Sequence, residues 1–119
     1  MSEIILIAKE WKVRAFIMAQ LSEEGYEVVA RQTIEEAVML LDRGTVRPHL
    51  IILDTMGQSL KEPLLADLQA LAGDVPILVC SGTFDLAQFD FDEASFILLV
   101  RPFAVRDVVD KANQILARG

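Results

Sequence analysis

Charged or hydroxyl side chains follow four apolar runs of this sequence, at the point where each run ends. Lys9 and Glu10 follow "IILIA", Asp54 follows "LIIL", Ser81 follows "PILVC" and Arg101 follows "ILLV". A carboxylate near a fixed cation and a hydroxyl is a set of groups that can take part in phosphoryl transfer. Each residue also has a plainer explanation, because Asp and Ser are common turn residues. The choice depends on whether the fold brings these positions together.

The composition is that of one folded domain. Of the 119 residues, 53% are hydrophobic and 24% are charged, which predicts a single globular domain over 1–119. The net charge of −7 disfavours direct contact with nucleic acid or with an anionic membrane. The first apolar run is too short to span a membrane, and no basic signal-peptide start precedes it. We therefore expect a soluble cytoplasmic protein.

Short, continuously apolar runs predict strands that are covered on both faces of a sheet. They span 4–8, 50–53, 75–80 and 96–100, and 26–30 is a weaker fifth candidate. Apolar residues at helical spacing lie between them, with a capping box at Thr33 and Glu36 and a stop at Gly44. This alternation predicts an α/β fold, a flavodoxin-like (βα)5 three-layer sandwich with a parallel five-stranded sheet of order 2-1-3-4-5.

In a sheet of this order, ligands gather beyond the carboxyl ends of the strands, near the switch between the first and third strands. The charged and hydroxyl residues named above all follow predicted strands at that edge: Lys9, Glu10, Asp54, Ser81 and Arg101. Their joint placement favours a chemical use of Asp54 over a simple turn role.

The chain resembles the receiver domains of two-component response regulators over essentially its whole length. The resemblance rests on "ILIAKEWKVR" at 5–14, "IILD" ending at Asp54, "PILVCSG" ending at Gly82 and "LLVRPF" at 98–103. It implies a non-enzymatic role in phosphorelay signal transduction. In this role Asp54 accepts a phosphoryl group from a histidine kinase or phosphotransfer protein, and Ser81 and Arg101 contact that group.

The resemblance also implies a Mg²⁺ site and a second partner. The metal ligands would be Glu10, Asp54 and the backbone carbonyl of Met56. A downstream protein would bind the face that the family builds from its fourth helix, fifth strand and fifth helix.

The basic residues of the site depart from the family pattern. Lys9 stands where the family places an acidic residue, and Arg101 replaces a lysine. Together with Glu10 and Asp54 they give two cations and two carboxylates, whereas the usual site has three carboxylates and one lysine. Opposite charges about 4 Å apart gain roughly 4 kcal/mol at an effective dielectric of about 20. A cation of the chain therefore competes with Mg²⁺, and we expect binding of this metal to be weak or absent.

The stretch between the fourth and fifth strands also departs from the family, because it has no clean helical stripe. It carries Phe84, Phe89 and Phe91 among acidic residues. These rings either pack on the core or form an altered partner-binding face.

Three functions remain open on the sequence. The first is a phosphorylated receiver with Asp54 as the acceptor. The second is a phosphorylation-independent pseudo-receiver, a protein-interaction module in which Asp54 forms a salt bridge with Lys9 or Arg101. The third, an unrelated flavodoxin-like enzyme or nucleotide binder, is disfavoured because no Gly-rich phosphate loop follows the first strand.

Overall fold

The computed structural model describes residues 2–82, 91–92 and 95–117. In chain order the elements are β1 (Glu3–Ile7), α1 (Trp11–Glu23), β2 (Glu27–Arg31), α2 (Ile34–Arg43), β3 (Leu50–Asp54), α3 (Glu62–Ala72), β4 (Ile77–Ser81), β5 (Ile97–Val100) and α4 (Val105–Ala117). The five strands are parallel, in the order β2-β1-β3-β4-β5. The predicted flavodoxin-like α/β class and strand order are confirmed, with four helices in the described residues.

The strand ends differ from the predicted ends by one or two residues, and two of these differences affect the site. The strand β4 begins after Pro76 instead of at 75, because proline has no N–H to donate; only its carbonyl joins the ladder, accepting from the Ile51 N–H at 3.0 Å. Asp54 and Ser81 are the last residues of β3 and β4. The pleat of the sheet therefore helps to fix the directions of their side chains.

Alternate residues of the central strands face two different helix layers. Ile51 and Leu53 of β3 pack in one core with side chains from α2 and α3. Leu50 and Ile52 pack in a second core with side chains from α1 and α4. Both cores are continuously apolar, which explains why the strand sequences do not alternate between apolar and polar residues.

Part of the segment between β4 and β5 belongs to the first core. Phe91 is buried and packs edge-on against Phe96, with ring centroids 5.3 Å apart. The alternative in which these rings pack on the core is therefore confirmed for Phe91. The prediction of an altered partner-binding face concerns Phe84 and Phe89 as well, and those two residues lie outside the described part of the chain.

Within the described ranges, no helix is long and apolar enough to cross a membrane.

The start of α2 shows how local chemistry sets an element boundary. The Thr33 Oγ1 accepts the Glu36 N–H at 3.2 Å, and the Thr33 hydroxyl donates to the Glu36 carboxylate at 3.1 Å. Gly44 ends the helix in the left-handed region, at φ +70°, where a residue without Cβ has no steric penalty. The N-cap half of the predicted capping box is confirmed, and the Glu36 carboxylate bonds the Thr33 hydroxyl where the motif has the backbone N–H of the cap residue.

We predict that Thr33→Ala lowers the free energy of unfolding by about 1 kcal/mol, because the first turn of α2 loses its side-chain acceptor. Urea denaturation followed by circular dichroism measures the change. Thr45→Ala is the control, since Thr45 is exposed and lies in the turn region after α2. Equal effects of the two substitutions would contradict a capping role for Thr33.

Candidate functional site

Asp54 ends the central strand of the sheet and is almost fully buried. It lies on β3, which is flanked by β1 and β4, and only 3% of the residue is exposed. It follows Leu50 and Ile52 by the two-residue period of a strand, so its side chain is on the α1 and α4 side of the sheet. An ionised carboxylate at such a position needs a partner, because burial removes its hydration.

Arg101 supplies that partner. Its Nη2 lies 2.5 Å from the Asp54 Oδ1, and the two side chains are 25% and 4% exposed. The Met56 N–H donates to the same oxygen at 3.1 Å. The sequence left Lys9 and Arg101 as candidate partners of Asp54. In the structure the partner is Arg101.

The backbone and the neighbouring ring hold Arg101 in place. Its N–H donates to the Ser81 carbonyl at 2.8 Å, directly after β5. The guanidinium carbon lies 5.0 Å from the centre of the Phe103 ring, a favourable contact between a cation and a π face. Arginine suits this position because its planar guanidinium group can pair with a carboxylate and stack on a ring at the same time. Phe103 was missed as a site residue, although "RPF" in the sequence places it two residues from Arg101.

The Ser81 hydroxyl is buried and already hydrogen-bonded. The residue is 1% exposed; its Oγ accepts from the Thr55 hydroxyl at 2.9 Å and donates to the Gly82 carbonyl at 3.3 Å. Thr55 was not predicted as a site residue. The available signal was a hydroxyl directly after Asp54, at the end of the strand that pairs with β4.

Cys80, the only cysteine of the chain, lies opposite Asp54 in the β3–β4 register. Burial raises the pKa of its thiol to about 12, and the nearby Asp54 carboxylate adds to this increase while Arg101 opposes it. The thiol is therefore protonated at neutral pH. Because an unfolded cysteine titrates near its ordinary value of 9.0, raising the pH from 9 towards 12 favours the unfolded chain.

Glu10 and Lys9 form the loop between β1 and α1. The Glu10 Oε2 accepts the Val13 N–H at 2.9 Å, so this carboxylate is the N-cap of α1. The Lys9 stem runs beside Gly57, where an added Cβ would lie 3.2 Å from the Lys9 Cγ. Gly57 also has a φ of +76°, a conformation that favours glycine. Lys9 thus occupies the space beside the loop that follows Asp54.

The oxygen donors at this edge match a Mg²⁺ site poorly. Mg²⁺ is usually held by one or two carboxylates together with waters and phosphate oxygens. Here one candidate carboxylate, Glu10, caps a helix, and the other, Asp54, is paired with Arg101. Among the residues that the structure describes, no three His, Cys, Asp or Glu side chains are grouped closely enough to hold a metal.

We predict that Asp54 and Arg101 are coupled in stability. In a double-mutant cycle of Asp54→Asn, Arg101→Gln and the double variant, the interaction free energy should be on the order of 1–3 kcal/mol, because the carboxylate is buried. Urea unfolding provides the four values.

The control is the exposed pair Arg106–Asp110 of α4, with an N–O distance of 3.0 Å. Its coupling should stay below about 1 kcal/mol because solvent screens it. Additive effects of Asp54→Asn and Arg101→Gln would show that the buried ion pair does not stabilise the fold.

Comparison with known proteins gives both sequence and structural similarity. No protein-family model matches the chain. The chain is 25% identical, over 118 residues, to a protein of Porphyridium aerugineum described as "Probable transcriptional regulator ycf27". The match covers 98% of this chain and 48% of the relative, so the chain spans about half the length of this curated relative.

Solved structures extend the comparison to the fold. The receiver domain of the hybrid histidine kinase CckA superposes with a TM-score of 0.76 at 23% identity, covering 96% of this chain and 98% of the other. The chemotaxis response regulator CheY4 of Vibrio cholerae gives 0.74 at 19% identity, covering 97% and 98%. The resemblance predicted from the motifs is confirmed: this chain is similar in sequence to a ycf27 regulator and has the fold of response regulator receiver domains.

Proposed function

We propose that this chain is a receiver module of two-component signal transduction in which Asp54 is a poor phosphoryl acceptor. The observation that carries the proposal is the ion pair of the buried Asp54 carboxylate with Arg101. The position of Asp54, at the carboxyl end of the central strand, is where the resemblance places an acceptor. The cation that such an acceptor needs during transfer is already bound to it.

The contacts of Asp54 and Ser81 oppose phosphoryl transfer in two ways. To attack phosphorus through Oδ1, Asp54 must give up Arg101 or the Met56 N–H. Attack through Oδ2 uses a carboxylate whose negative charge the Arg101 pair already stabilises. Each ~1.4 kcal/mol of interaction lost on the way to the transition state slows transfer about tenfold. The Ser81 hydroxyl is the proposed contact for a phosphoryl oxygen. It must also break its hydrogen bonds with Gly82 and Thr55 before it can make that contact.

Mg²⁺ would offset the repulsion between the attacking carboxylate and the phosphoryl group, and we propose that it binds weakly here. Lys9, Glu10, Asp54 and Arg101 together have formal charges that cancel, so the attraction for a divalent cation is small. Glu10 would have to leave the N-terminus of α1 to reach a metal.

These arguments favour signalling through protein contacts over signalling through phosphorylation of Asp54. The proposed upstream partner is a histidine kinase or phosphotransfer protein, which the module could bind with little or no phosphorylation. The proposed downstream surface includes β5 and α4. These elements correspond to the fifth strand and the fifth helix of the face that the resemblance assigns to output. We propose no enzymatic activity and no direct binding of nucleic acid or membrane.

We expect Mg²⁺ titration at up to a few millimolar to leave the fluorescence of Trp11 unchanged, because the site lacks a net negative charge. Trp11 is the only tryptophan and directly follows Glu10. Lys9→Asp should produce a saturable change, since it adds a carboxylate and removes a cation.

Arg47→Asp is the control for the titration. It changes the net charge by the same amount in the loop before β3, at the opposite edge of the sheet, and should not improve binding. Saturation of the unsubstituted protein at low millimolar Mg²⁺ would overturn the charge argument.

Incubation with acetyl phosphate and Mg²⁺ should give little aspartyl phosphate, as measured by intact mass. The double variant Lys9→Asp/Arg101→Lys should form more, because it restores the acidic and lysine positions of the family pattern. Asp54→Ala is the control that assigns any adduct to this residue. A stoichiometric adduct on the unsubstituted protein, lost in Asp54→Ala, would show that Asp54 is an efficient acceptor.

A further inference from the structure

The outer side of α1 is an exposed apolar surface. Trp11, Lys12, Ala15, Phe16 and Ala19 line a shallow groove along it, here called the α1 surface. Trp11 is 63% exposed and Phe16 is 62% exposed. These two large rings line one groove instead of being scattered singly, and exposed apolar patches of this kind mark interfaces.

The opposite side of the same helix is also apolar. Ile17 and Leu21 are buried in the core beneath α1, with Val13 packed against it. A helix with apolar residues on two opposite sides presents more apolar surface than a single core covers. The domain itself covers only the inner side, so a second protein surface is the natural cover for the outer one.

The charge near the α1 surface restricts what can cover it. From Trp11 to Gln20 the helix carries Lys12 and Arg14 and no acidic residue, in a chain of net charge −7. The Lys12 Nζ lies 5.7 Å from the centre of the Trp11 ring, at the surface itself. A symmetric contact between two α1 surfaces would bring like charges together. An apolar surface with acidic edges is therefore the better match.

This chain has such a surface on the other side of its sheet. A groove between α2 and α3, here called the α2–α3 groove, is lined by Val38, Met39, Ala70 and Leu71 and edged by Asp42 and Asp67. Met39 is 52% exposed and Leu71 is 39% exposed.

The charge of these two helices is opposite to that of the α1 surface. Together α2 and α3 carry five carboxylates and one arginine. Arg43 and Arg31 line a neighbouring hollow that shares Met39 with the groove. The charged residues that line the groove itself, Asp42 and Asp67, are both acidic. The groove therefore presents its acidic residues to an incoming cation.

We propose that the α1 surface of one copy of this chain docks into the α2–α3 groove of a second copy. Trp11 and Phe16 would be the apolar anchors, and Lys12 would lie near Asp42 and Asp67. Because α1 and the α2–α3 pair lie on opposite faces of the sheet, each bound pair leaves one surface of each kind free. Contacts of this head-to-tail type add further copies instead of closing a dimer, unless the rotation closes a ring. The contact does not depend on phosphoryl chemistry at Asp54.

Sedimentation velocity over a concentration series tests the proposal. The unsubstituted protein should show a weight-average sedimentation coefficient that rises without stopping at the dimer value, and the rise should weaken at high salt. Phe16→Glu, which blocks the α1 surface, and Leu71→Glu, which blocks the groove, should each keep the protein monomeric. Met18→Glu is the matched control, because Met18 is exposed on α1 but does not line the surface.

Mixing the two blocked variants separates a head-to-tail contact from a symmetric one. Phe16→Glu keeps an intact groove and Leu71→Glu keeps an intact α1 surface, so an equimolar mixture should form dimers and nothing larger. Circular dichroism melting confirms that both variants are folded. A monomeric unsubstituted protein at every concentration, assembly that stops at the dimer, or a mixture that stays monomeric would each overturn the proposal.

Discussion

A buried carboxylate must be neutralised, and this requirement organises the carboxyl edge of the sheet. Asp54 ends the central strand, is paired with Cys80 of β4, and is almost fully buried. The cation comes from the loop after β5, at the far edge of the sheet, and reaches inward to it. One ion pair thus links the last strand to the middle strand beyond what the backbone ladder does.

The rest of the edge is arranged around that pair. The loop after β3 donates the Met56 N–H to the carboxylate, and the Thr55 hydroxyl bonds to Ser81 on the neighbouring strand. These contacts satisfy the polar groups at the site with partners from the chain. Indeed, no buried side-chain nitrogen or oxygen in the described residues lacks a hydrogen-bond partner. Asp54, Thr55 and Ser81 are thus engaged with partners from the chain itself.

The sequence predicted the positions of the site residues better than their contacts. Apolar runs and their order were sufficient to place Asp54, Ser81 and Arg101 at one edge, because parallel strands share a direction. The sequence left the partner of Asp54 open between Lys9 and Arg101, since the choice depends on loop paths and rotamers. For the same reason the cap made by Glu10 was not foreseen; its position fitted a metal ligand equally well. The bond between Thr55 and Ser81 depends on a strand register that periodicity does not specify.

The cap at the start of α1 links two properties that are usually considered separately. Glu10 holds the first turn of the helix that presents Trp11 and Phe16 to solvent. If this carboxylate turned towards a ligand at the carboxyl edge, the first turn of α1 would lose its side-chain acceptor and could fray. Occupancy of the site would then be communicated to an apolar surface more than one helical turn long, with no movement of the sheet. Glu10, at the N-terminus of α1, thus connects the polar carboxyl edge of the sheet with the exposed rings of Trp11 and Phe16.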